Sequence, residues 1–87
     1  MKIYKYKIST ITDLPAGCTI LKVGLQEGVL YVWALVDLNE KKSEETEFIV
    51  LATGEDWPLG NCTYLDTVFK DRFVWHVFVK NKPIKIA

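Results

Sequence analysis

Apolar and polar positions along this chain alternate with a repeat of two residues, and no stretch carries a 3.6-residue stripe. In "KIYKYKI", Tyr4, Tyr6 and Ile8 fall on one face and Lys5 and Lys7 on the other, the pattern of a half-buried strand with a wet side. "TDLPAG" follows, and its Pro15 and Gly17 predict a turn. "CTILKVGLQ" sets Leu21, Val23 and Leu25 on a common side, and Glu27-Gly28 separates it from "VLYVWALVD". A Gly-containing reversal between two apolar runs predicts a hairpin. The second run is apolar on both faces, which is expected of a strand with neighbours on either side.

"LNEKKSEETE" reads as a charged connector, and "FIVLAT" as a further strand apolar on both faces. Gly54, Pro58 and Gly60 make "GEDWPLGN" a loop. "CTYLDTVF" and "RFVWHVFVK" predict a second hairpin turning at Lys70 and Asp71. The pattern therefore predicts an all-β fold: a single small domain of about six mostly antiparallel strands, a sheet, sandwich or partly open barrel with little or no helix. Residues 1–80 form that domain, and 81–87, with Pro83, are a tail or a short edge strand.

Size leaves room for one core in 87 residues. The chain is 49% hydrophobic and 13% aromatic, so some apolar surface is expected to be covered by a second copy or a partner. A homo-oligomer follows as the expectation. The net charge of zero argues against general nucleic-acid binding, which draws its affinity from neutralised phosphates. Acids nevertheless crowd residues 37–56, and bases crowd residues 70–87. The start "MKIYKYKIST" has no apolar core of a signal peptide, and no apolar run reaches the ~18 residues of a membrane span. No membrane association and a cytoplasmic location are expected. Cys18 and Cys62, without a CxxC pairing, are expected to be free thiols.

Candidate chemistry is sparse. His76 is the only histidine. Alternation puts Phe73, Trp75, Val77 and Val79 on one face of its strand, and Val74, His76 and Phe78 on the other. The simplest reading is a half-buried imidazole hydrogen-bonded across the sheet. A catalytic reading needs Ser, Cys or Thr within reach and a third group to orient the ring. One His and two distant Cys supply no zinc signature, and no phosphate-binding loop is present; neither metal nor cofactor is expected. Trp57 lies in a polar loop where no strand period demands an aromatic. It reads equally as a lid on the core or as a stacking residue. Arg72 and Lys80 flank the histidine strand and offer cations to a phosphate, or protect an edge.

The motifs "MKIYKYKI", "GVLYVWALVD" and "ATG…YLDTVF…FVWHVF" occur in that order. Together they resemble a family of small, functionally uncharacterised bacteriophage and prophage proteins. The resemblance implies a phage accessory protein of an infected cell's cytoplasm, with an anti-defence role, and carries over no catalytic residue. The first functional expectation is non-catalytic capture of a nucleotide-like small ligand by Trp57, Arg72, His76 and Lys80. The alternative is a protein–protein inhibitor of a host factor that docks through Glu44, Glu45, Glu47, Glu55 and Asp56. A weaker alternative is a small hydrolase with His76 as its base.

Overall fold

The computed structural model describes residues 1–57, 60–80 and 82–87. Among these residues, eight strands run in chain order: β1 (Lys2–Lys7), β2 (Ile11–Pro15), β3 (Thr19–Gln26), β4 (Val29–Val36), β5 (Ser43–Ala52), β6 (Cys62–Lys70), β7 (Phe73–Lys80) and β8 (Lys85–Ile86). They form two four-stranded sheets, β1-β4-β3-β8 and β2-β5-β7-β6. All pairings are antiparallel except that of β8 with β3. The sheets pack face to face around one core, an all-β sandwich. Sheet one contributes Ile20, Val23, Val32 and Ala34, and sheet two Leu14, Phe48, Val77 and Val79.

Of the two runs that are apolar on both faces, β4 lies between β1 and β3, whereas Phe48–Ala52 of β5 pairs, among the described residues, along one side only, with β7. The first hairpin turns at Glu27 and Gly28, both with positive φ (53° and 78°), the backbone hand that matches strand twist. The second turns at Asp71, φ 54°.

Three local expectations are corrected. Ile11–Pro15 in and before "TDLPAG" is a strand and not part of a turn; Pro15 sits at its last position on a sheet edge, where a missing N–H is tolerated. The charged connector is shorter than its sequence suggests, because Ser43–Glu47 is the first half of β5 and pairs with β2. Only the second half of β5, Phe48–Ala52, pairs with β7. Within that acidic half, Thr46 is fully buried, and its hydroxyl accepts a hydrogen bond from Lys82 Nζ at 3.1 Å. The third correction concerns Leu21, which leaves the side shared by Val23 and Leu25: β3 bulges between Ile20 and Lys22, so Ile20 and Val23 face the core while Leu21 is exposed. The turn role of Pro58 lies outside the described residues.

The acidic and basic zones of the chain meet. Glu44 pairs with Lys82 at 3.4 Å and Glu47 with Lys80 at 3.8 Å. Among the described residues, no helix is long and apolar enough to cross a membrane.

Candidate functional site

The outer face of the second sheet carries a polar network centred on His76 of β7. Leu51 of β5 and Thr67 of β6 are its lateral neighbours in register. Nδ1 lies 3.0 Å from Thr67 Oγ1, and Nε2 lies 2.8 Å from Thr53 Oγ1. Both ring nitrogens are thus engaged by hydroxyls that can donate or accept, whichever nitrogen bears the proton. The Tyr64 hydroxyl closes on the same Thr67 Oγ1, giving a continuous chain Thr53–His76–Thr67–Tyr64.

A second bulge builds this chain. β6 slips register between Tyr64 and Asp66, so Tyr64 pairs with Phe78 and Thr67 with His76. Tyr64 and Thr67 are three residues apart yet share the outer face. On the other side, β5 ends in a turn over Ala52–Glu55: Glu55 N–H donates to the Ala52 carbonyl at 3.1 Å, with Gly54 at φ 101°. The Glu55 carboxylate accepts the Ala52 N–H at 3.0 Å. That turn fixes Thr53 beside the imidazole.

Aromatic rings complete the site. Phe78 is 2% exposed although it points away from the core. Trp57 meets it edge-on, with centroids 4.9 Å apart and an interplanar angle of 83°, and Tyr64 does so at 5.7 Å and 68°. Trp57 itself remains 67% exposed, so it is both a cover for Phe78 and a free aromatic face. Between these groups lies a solvent-open pocket of about 320 Å³, walled by Trp57, Tyr64, Phe78 and Leu51, with His76 and Thr53 as its polar floor. That volume is at the small end for ligand sites.

The sequence-predicted residues divide. Trp57, His76 and Glu55 come together at the pocket. Arg72 sits in the β6–β7 turn and Lys80 beside Glu47, and neither lines it. Glu44, Glu45 and Glu47 lie along the first half of β5, with Glu55 and Asp56 beyond its other end, so the five acids form no single patch. Thr53, Tyr64, Thr67 and Phe78 were missed as a group, because their convergence depends on pairing register. Elsewhere, a larger apolar cleft of about 720 Å³ opens at one end of the sandwich, walled by Leu25, Leu30, Val50, Phe73 and Trp75. Lys7, Lys70 and Asp71 also line it, and among the described residues it has no chain of side-chain hydrogen bonds like that around His76. Among the described residues, no group of three or more His, Cys, Asp or Glu could hold a metal ion.

These features define a small β-sandwich domain with an aromatic-walled pocket on the outer face of one sheet. The chain belongs to the family described as a domain of unknown function (DUF7352), whose model matches residues 1–86. No curated protein and no solved structure matches it.

Proposed function

We propose that this protein is a non-catalytic binding module that takes a small, flat, uncharged ring of nucleobase type into the Trp57–Tyr64–Phe78 pocket. The observation that carries the reading is the union of three aromatic walls with an imidazole whose two nitrogens are held by hydroxyls. Trp57 and Tyr64 are exposed and offer stacking, worth about 1–3 kcal/mol per base, over the buried Phe78 that orients them. The Thr53 hydroxyl, oriented by His76, keeps hydrogen-bonding capacity for a heterocycle. Among the described residues, the pocket has no lining cation and Glu55 belongs to its wall, which favours a base or nucleoside over a phosphate-bearing nucleotide. The strand motifs that resemble phage and prophage proteins support, by analogy, an accessory role in an infected cell's cytoplasm. Exposed Phe69 (73%) and Phe73 (51%) support a self-associating chain.

A hydrolase is the second reading, favoured by the 2.8 Å contact between Thr53 and His76. Against it stands the group on the other nitrogen. Taking a proton from Thr53 would leave an imidazolium, and an anion on Nδ1 is what stabilises such a charge; here Nδ1 faces the neutral Thr67 hydroxyl. The inhibitor reading is weakened because Glu44 and Glu47 already have lysine partners.

Native mass spectrometry of the protein purified from cells, followed by calorimetric titration with nucleobases and nucleosides, tests the proposal. Saturable binding that Trp57→Ala and His76→Ala each weaken tenfold or more supports it. Binding unaffected by both variants, or the absence of any bound or titratable ring, rejects it. Hydrolysis of a chromogenic ester lost in Thr53→Ala would instead favour the second reading.

A further inference from the structure

The chain is neutral as a whole, but its two sheets are not. Strands β1, β3, β4 and β8 carry Lys2, Lys5, Lys7, Lys22 and Lys85 and no acid. The strands of the second sheet carry Asp13, Glu44, Glu45, Glu47 and Asp66, against Lys70 and Lys80. The separation arises from strand order, since pairing brings β1 and β8, from opposite ends of the chain, onto the β3–β4 hairpin.

The outer face of the first sheet concentrates this charge around aromatic rings. On β4, Val32, Ala34 and Val36 are buried, so Tyr31, Trp33 and Leu35 point outward. Register then sets Trp33 between Lys5 on β1 and Lys22 on β3, and Tyr31 between Lys7 and Gly24. Trp33 lies close over Gly24, where an added Cβ would sit 3.4 Å from its ring. Tyr31 and Trp33 have centroids 6.0 Å apart, and Lys5 Nζ stands 4.5 Å above the Tyr31 ring. The nearest acids lie at the margins: Asp66 reaches from β6 to Lys22, Glu27 is in the hairpin turn and Asp37 follows β4.

We infer that this face, with Trp33 and Tyr31 set among Lys5, Lys7 and Lys22, is a docking surface for single-stranded nucleic acid. A row of aromatics flanked by cations meets both needs of such a ligand: π-faces for unpaired bases and ammonium groups for the phosphates beside them. A duplex hides its base faces and would leave the rings idle. A lipid surface would use the lysines but not the ordered pairing of each ring with a flanking cation. The site is separate from the His76 pocket, which lies on the other sheet, and the inference does not depend on it. Zero net charge sets the strength. Lys22 is held by Asp66, so Lys5 and Lys7 supply the phosphate contacts; binding is weak and salt-dependent, with log K falling against log salt by about 1.4 for two phosphate contacts.

The test is fluorescence anisotropy of a labelled oligothymidylate of about 12 nucleotides, titrated with the protein from low to physiological salt. Expected are saturable binding at low salt, a slope of about 1.4, and at least a tenfold loss in Trp33→Ala. The Lys5→Gln/Lys7→Gln double variant changes only exposed residues and keeps the fold. It should lower the slope to below about 0.5, and circular dichroism verifies that both variants are folded. No saturable binding at low salt overturns the inference. So does wild-type binding by the lysine variant, or binding to anionic phospholipid vesicles without binding to the oligonucleotide.

Discussion

The Asp66 carboxylate on β6 caps the backbone N–H of Val23 on β3, across the gap between the two sheets, at 3.3 Å. Strand β8 covers only Thr19 and Ile20 of β3, so the Val23 N–H faces an unpaired edge. A buried N–H left without a partner is costly. The same carboxylate pairs with Lys22 at 3.0 Å and accepts the Thr67 N–H at 2.9 Å. One side chain thereby ties the two sheets together where their bulges meet.

Acid stability depends on that tie. Burial by itself raises the Asp66 carboxyl, but the Lys22 ammonium and the N–H groups of Thr67 and Val23 outweigh it and hold the group below its ordinary value of 3.8. A depressed carboxylate stabilises the fold fully above the ordinary value, and this contribution fades as pH falls through the lower folded value. Asp66→Asn is expected to cost about 1–2 kcal/mol at neutral pH. Urea unfolding at pH 7 and at pH 2–3 checks this: the gap from wild type should narrow in acid, and a constant gap would contradict the account.

Glu27 holds φ 53° without being glycine, a conformation that costs most residues about 1 kcal/mol and that Asn tolerates. Glu27→Asn is expected to stabilise by about 0.5–1 kcal/mol, raising Tm by several degrees. An unchanged or lower Tm in calorimetry would show the turn to be unstrained.

Trp57 covers Phe78 from solvent while staying mostly exposed itself. Trp57→Ala should therefore cost only about 0.5–1.5 kcal/mol and leave the protein folded. Chemical denaturation measures that value, and global unfolding would reassign Trp57 to the core.

The Thr67 hydroxyl is shared by His76 and Tyr64. Thr67→Val keeps the shape and removes both bonds, for an expected loss of about 1–2 kcal/mol, whereas Thr67→Ser should retain most of the stability. Equal stability of the two variants in parallel melts would show that the chain of hydroxyls contributes nothing.

Cys18 is 7% exposed, and burial pushes its thiol up despite the nearby Lys82 ammonium. Because the thiolate is the reactive form, iodoacetamide at neutral pH should label the half-buried Cys62 well before Cys18. Peptide mapping over time gives the order, and prior modification of Cys18 would contradict it.

Period-two alternation was sufficient to read β1, β4 and β7, the sidedness of Val77 against His76, and the hairpin at Glu27-Gly28, because strand geometry and turn chirality are properties of neighbouring residues. β2 and the first half of β5 escaped that reading. Their alternation runs through Asp13, Pro15, Glu44 and Thr46, and the hydroxyl of the buried Thr46 finds its partner in Lys82, 36 residues away. The two bulges were equally hidden. An inserted residue breaks the period of two without changing composition, so alternation alone groups Tyr64 with Asp66 rather than with Thr67. The sequence by itself determined that the chain is all-β, where its apolar strands run and which side chains share a face within each. Strand order, register and bulges required the tertiary structure, because hydrogen bonds between distant strands decide which faces meet. From those came the convergence of Thr53, Tyr64 and Thr67 on His76 and the gathering of lysines on one sheet.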